Sequence, residues 1–371
     1  MRFLIACGPG RTGGPEALHQ LAHTLVLQGF VASVVYVQEV SGALVWARCN
    51  QNQYPEYDKI IVANDLPLSD DVVLVLPEVW AALALEYASH CKVLVWWLSV
   101  DNGLPSIGEI AFYFDAFRSH PRIFHAYQSA YARNFIESLG LNRGGFSLSD
   151  FIHGSSMLVP VRVAERSVSS IQICFNASKG AWLAEAFGSQ HPSVEMIPIR
   201  GMGPDRIQEV LRTSHFYIEF GHLPGKDRLP REALQAGTRV YLRCCGDGAQ
   251  RSDWLLPPHC YFNSEDCVSG SLWASLLNEI RLGNQDAWLP AQAKIAGERK
   301  VFEKECENLA TFFQNFRLSD PQELLAARLD QLHRYPGRRI KAEKELDAIV
   351  SSRSWKSTAF LRAIIARIQG H

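Results

Sequence analysis

Apolar and polar positions along the chain fall into two rounds of one pattern. Short, almost wholly apolar runs rich in β-branched residues alternate with stretches where apolar positions recur every three to four residues. In the first round the runs are 3–7, 31–37, 59–63, 72–76, 93–98 and 123–127. A run that is apolar throughout suits a strand covered on both faces. The spacing between runs predicts helices over 15–28, with Leu18, Leu21, Ala22 and Leu25 on one face, over 79–89 and over 130–139. The second round opens with a strand at 171–175. It continues through helix 179–187, strand 194–199, helix 204–213, strand 215–220, helix 231–236 and strand 239–242. Between the rounds, residues 147–168 are Ser-rich and irregular, which places a domain boundary near 159–169.

Alternating strands and helices of this kind form parallel sheets with helices on both faces. The expected fold class is α/β: two Rossmann-like, doubly wound domains facing each other across a cleft, with a C-terminal helical segment. The expected division is 1–160, 161–333 and a tail, 334–371. A length of 371 residues fits two domains of ordinary size.

Composition narrows the function classes. A formal net charge of −1 offers no field for nucleic acid. Nine cysteines, scattered and without C-x-x-C, read as reduced thiols of a cytoplasmic protein. The adjacent Cys244 and Cys245 read as strand-end packing residues. No secretory signal and no spanning apolar stretch is expected. The tail carries nine Lys/Arg against three Asp/Glu. Trp355, Leu361, Ile364, Ile365 and Ile368 fall at helical spacing, so the tail is expected to pack on the first domain or to touch the inner membrane surface as a basic amphipathic helix.

Three loops carry candidate chemistry. Residues 8–14 read GPGRTGG, and Gly13 and Gly14 open a helix where a ligand can approach backbone N–H groups. Residues 176–180 read NASKG, with Ser178 as the expected N-cap and Lys179 placed to reach a phosphate. Residues 219–237 read EFGHLPGKDRLPREALQAG. Here His222, Gly225, Lys226, Asp227, Arg228 and Arg231 crowd a strand-to-helix turn, with Pro230 opening the helix. Helix N-termini favour anions, so the stretch points to a diphosphate. Asp101 follows a central strand and is the candidate base for an acceptor hydroxyl, or an N-cap or Asx-turn residue. His19, His23, His125 and His153 are lesser candidates. No G-x-x-x-x-G-K-[ST], H-E-x-x-H or G-x-S-x-G occurs, so neither a P-loop, a zincin site nor a serine hydrolase is indicated, and no metal is expected.

The Gly13-Gly14 pair, the 176–180 turn and the H-x-P-G-K-D-R-x-P-R-E-A segment at 222–233 together resemble glycosyltransferases of the two-Rossmann-domain type. The resemblance spans most of the chain. It is nearest to bacterial enzymes of capsule, lipopolysaccharide O-antigen and related polysaccharide assembly, of the group 1, family 4-like kind. Their S-x-S-W-[RK]-x-T-A-P-L-R ending is matched here by SRSWKSTAFLR at 352–362.

The resemblance implies a nucleotide-diphosphate sugar as donor and a polysaccharide or lipid-linked glycan as acceptor. It implies hexosyl or deoxyhexosyl transfer, retention of configuration and no metal. Glu232 would match the closing Glu of the E-x7-E pattern and contact the nucleotide ribose. Lys179, Lys226 and Arg228 would face the diphosphate. Pro224 stands where the first Glu is usual, Ala177 replaces a Pro in the turn, and Phe360 replaces the tail Pro. The role of the first Glu is vacant, or falls to His222 or Asp227. Rival readings are a sugar-nucleotide epimerase of similar architecture, which needs a cluster of acids and histidine in the cleft, and a catalytically silent carbohydrate-binding module.

Overall fold

The computed structural model describes residues 1–111, 114–141, 144–152, 171–282 and 286–317. The boundary at 159–169, His153 and the whole tail, 334–371, lie outside the described residues.

The first domain runs β1 (Arg2–Cys7), α1 (Gly13–Leu27), β2 (Val31–Val40), β3 (Ala43–Trp46), β4 (Ile61–Ala63) and β5 (Val72–Pro77). A 3-10 turn, Glu78–Leu83, leads into α2 (Ala84–Tyr87) where a single helix was expected. Then come β6 (Lys92–Trp97), α3 (Val100–Ile110), α4 (Phe114–Ser119), β7 (Ile123–Tyr127), α5 (Ala130–Ser138) and β8 (Phe146–Ser147). The strand order is β3-β2-β1-β5-β6-β7-β8, with β4 also beside β2. The pairings are parallel except β2 with β3.

The second domain runs β9 (Ile171–Asn176), α6 (Ala181–Gln190), β10 (Val194–Ile199), α7 (Pro204–Thr213), β11 (Phe216–Glu219), α8 (Arg228–Gln235) and β12 (Arg239–Arg243). It continues through α9 (Arg251–Trp254), β13 (Tyr261–Phe262), α10 (Ser264–Ser269), α11 (Ser271–Leu282) and α12 (Leu289–Asn315). Its five-stranded sheet is ordered β10-β9-β11-β12-β13 and is parallel throughout.

Both sheets reverse direction at their first strand: the chain goes to one side for the second strand and crosses to the other side with β5 in the first domain and β11 in the second. Such reversals open a crevice at the carboxyl ends of the strands, where open α/β sheets hold ligands. The crevices lie beside the loops that follow β1 and β5 in one domain and β9 and β11 in the other.

The last helix joins the two cores. Ala291 and Ile295 of α12 belong to the second core, whereas Phe302, Cys306, Leu309, Ala310 and Phe313 pack with Leu18, Leu21 and Trp96 of the first. A helix of 27 residues spans about 40 Å, long enough to serve both. The expected division assigns the whole helix to the second domain, and its second half packs on the first core. Its apolar stripe continues the period without a break, so nothing in the spacing marks the crossing. Among the described residues, no helix is long and apolar enough to cross a membrane.

Candidate functional site

The loop after β11, residues 220–227, is the keystone between the domains. The Val100 N–H donates to Pro224 O at 2.8 Å and the Lys226 N–H to Gln128 Oε1 at 3.1 Å. Gly225 is squeezed between them. A Cβ there would stand 2.2 Å from the carbonyl oxygen of Leu98, so only glycine lets the second-domain backbone come this close to the first. On the other side of the loop, Gly180 has φ +67° and its Cβ would lie 2.5 Å from the Phe220 carbonyl. The 176–180 turn therefore stacks directly on the 220–221 backbone.

Helix α8 begins at Arg228, ahead of the expected start at 231. Pro230 falls within its first turn, where the missing N–H has no helical partner to lose. The early start brings the helix N-terminus into the loop itself. Asp227 occupies the N-cap position, but its side chain makes no cap and turns to the Lys179 ammonium instead. Arg228 reaches the Glu16 carboxylate in the first turn of α1 and pairs with Glu232 at 3.1 Å. Gly13 lies against it, an added Cβ standing 3.5 Å from Arg228 Cδ. The expected N-cap Ser178 is corrected: α6 starts at Ala181 with Gly180 at its cap, and the Ser178 N–H donates to Asn176 Oδ1 at 3.0 Å, closing an Asx-type turn. Gly13, Lys179, Asp227, Arg228 and Glu232 thus form one chain of contacts at the face between the switch points. Gly14, beside them, faces Leu98.

Two of the expected donor cations face elsewhere. Arg231 is fully buried. It donates to Asp150 Oδ2 at 2.7 Å, to Glu298 Oε2 at 3.1 Å and to the Lys226 carbonyl at 2.9 Å. Burial works against its charge, but Asp150 and Glu298 more than offset this and raise its pKa. The Lys226 ammonium, 5% exposed, lies 2.8 Å from Glu298 Oε1. Buried charges need such partners because desolvation is so costly. Asp150 comes from the first domain and Glu298 from α12, so Lys226 and Arg231 tie domains together rather than line the crevice.

Asp101 is the second residue of α3, with Ser99 at the N-cap position, so it is neither cap nor Asx turn. Its carboxylate meets His222 Nε2 across the interface, and His222 Nδ1 lies 2.9 Å from Cys245 Sγ. Burial favours the neutral imidazole, yet the hydrogen bonds with Asp101 and Cys245 prevail and raise the His222 pKa to about 9. At neutral pH the ring is an imidazolium donating from both nitrogens.

Sequence reasoning passed over two carboxyls. Glu219, at the end of β11, is fully buried and accepts from the Tyr217 hydroxyl at 2.6 Å and the Gly221 N–H at 3.0 Å. Glu78, just past β5, accepts from the Leu98 N–H at 3.0 Å. Burial raises both pKa values to about 7. They stand at matching places beside the two sheet reversals. The lesser histidines pack: His19 donates to Pro15 O at 2.6 Å and accepts from the Tyr36 hydroxyl at 2.7 Å, and burial lowers its pKa to about 4. His125 accepts from Trp97 Nε1 at 3.1 Å in the first core, and His23 lies against the Tyr57 ring.

No protein-family model and no curated protein sequence matches the chain. Its structure is similar to the lipopolysaccharide outer core galactosyltransferase WaaB in its apo form, with a TM-score of 0.58 and 12% identity, over 85% of this chain and 100% of that one. Sucrose-phosphate synthase from Thermosynechococcus elongatus gives 0.54 and 12%, over 85% and 98%. Anabaena HepE in complex with UDP gives 0.52 and 12%, over 85% and 100%. Two mainly parallel-sheet domains with facing switch points and these likenesses together show that the chain has the GT-B fold of this group of glycosyltransferases.

Proposed function

We propose that the protein transfers a sugar from a nucleoside-diphosphate sugar to a polysaccharide or lipid-linked glycan. The observation that carries this reading is the convergence of two switch points on the start of α8, with the Lys179 and Arg228 side chains about one-third exposed there. Support comes from the solved structures: one is a galactosyltransferase and another holds UDP.

In this reading Lys179, Arg228 and the first-turn N–H groups of α8 hold the diphosphate and stabilise it as it leaves. Two cations and a helix terminus balance its charge without a metal. Gly13 and Gly14 let the donor approach the backbone of α1, and Glu232, held by Arg228, takes the ribose. Asp101 directs the acceptor hydroxyl and accepts its proton, with His222 fixing the carboxylate. The sugar retains its configuration. The reaction takes place in the cytoplasm, with the basic tail 334–371 near the inner membrane surface.

The test is release of nucleoside diphosphate from UDP-, GDP- and dTDP-sugars, with a bacterial glycolipid extract as acceptor source, followed by product mass spectrometry. Transfer gives a glycolipid heavier by one sugar. The Asp101–His222 pair also supplies part of the acid and histidine cluster that a sugar-nucleotide epimerase needs. An epimerised nucleotide sugar formed without acceptor, seen by proton NMR, would replace transfer by that reading.

A further inference from the structure

We propose that Cys245 is a positioning residue: its sulfur holds the His222 imidazole in the one orientation that presents Nε2 to Asp101 across the domain interface. Its kinetic arm rests on the sugar-transfer reading; its structural arm does not.

The placement is set by backbone. The Leu223 N–H donates to Cys245 O at 3.4 Å and the Asp247 N–H to Leu223 O at 2.8 Å, so the segments carrying thiol and imidazole are pinned to each other. Cys245 Sγ then meets Nδ1 at 2.9 Å, Asp101 takes Nε2, and the Tyr131 ring stands edge-on to the imidazole with centroids 6.3 Å apart. Thiol, imidazole and carboxylate lie in the order in which one neighbour orients a ring and the other uses it.

The charged and titratable groups against this ring are Asp101 from α3, Tyr131 from α5 and Cys245 just past β12, and Arg243 at the end of β12 acts on Cys245. Burial raises the Cys245 thiol, but the hydrogen bond and charge of His222, with Arg243, lower it overall. The imidazolium beside it thus favours the thiolate form of Cys245 over the neutral thiol.

The experiment compares full-length Cys245→Ala and Cys245→Ser with the parent. Histidine-selective NMR titration reads His222 directly. Cys245→Ala should lower its midpoint by about one unit or more, because an acceptor for the charged form is lost, while Cys245→Ser keeps most of it. In transfer assays Cys245→Ala should reduce kcat about tenfold, leave the donor KM within about twofold and move the alkaline limb to lower pH; Cys245→Ser should restore most of the rate. An unchanged His222 midpoint in Cys245→Ala would overturn the proposal. If the protein transfers no sugar, the NMR titration alone decides.

Discussion

Arg231 Nη2 and Asp150 Oδ2 are 2.7 Å apart, one in the second domain and one in the first, and both residues are buried. Removing the guanidinium would leave Asp150 a buried charge without its ion-pair partner, and Glu298 with Lys226 alone. Arg231→Ala should therefore destabilise the chain by about 3–5 kcal/mol, with the urea midpoint falling for both domains together. A loss below about 1 kcal/mol would show that the pair is hydrated and does not join the domains.

The carboxylates of Glu16 and Asp227 occupy the cations that a diphosphate would need. Neutralising them frees Arg228 and Lys179. Glu16→Gln and Asp227→Asn should each tighten binding of a nucleoside diphosphate, by up to about fivefold given the modest worth of pairs whose cation is partly exposed. Calorimetry at fixed ionic strength measures this. Weaker binding in both variants would mean that the carboxylates orient the cations for the donor rather than compete with it.

Glu219 gives a pH signature. Burial raises its folded pKa to about 7 from an ordinary 4.5, so between these values the native state holds a proton that the unfolded chain has released. Stability from this group is full below about 4.5 and is lost as pH rises through about 7. Glu219→Gln should remove that decline, so the variant gains on the parent in melting temperature between pH 5 and 7.5. Parallel curves would show that Glu219 is charged in the native state.

Asp101→Asn keeps the shape but not the proton acceptor. Donor binding should persist while transfer falls by about a hundredfold or more. Full transfer activity would remove Asp101 as the base.

Much of the fold was legible because apolar runs in parallel sheets are long and unambiguous. Strands Ile123–Tyr127 and Val194–Ile199 and helix Pro204–Thr213 fall where the periodicity places them. The β3 strand was missed because its apolar run is only four residues long and lies on a half-exposed antiparallel edge. The site was legible only as a neighbourhood. Lys226 and Arg231 looked like ligand cations because their partners, Glu298 and Asp150, are far away in sequence. One signal was there: Glu298 lies on the stripe of Ala291, Ile295 and Phe302, and a carboxylate on an apolar stripe needs a buried cation. No local pattern linked Asp101 to His222, because they meet only when the domains do.

The central claim is that Lys179 and Arg228 mark a diphosphate site. Its most direct test is thermal shift with UDP, GDP, dTDP and CMP beside their nucleosides, since a ligand of the native state raises Tm. One diphosphate should raise Tm well above its nucleoside. Lys179→Ala and Arg228→Ala should erase that difference, while Lys226→Ala lowers Tm throughout and leaves the difference in place. No shift with any diphosphate at millimolar concentration, or equal losses for diphosphate and nucleoside in Lys179→Ala and Arg228→Ala, would contradict the account.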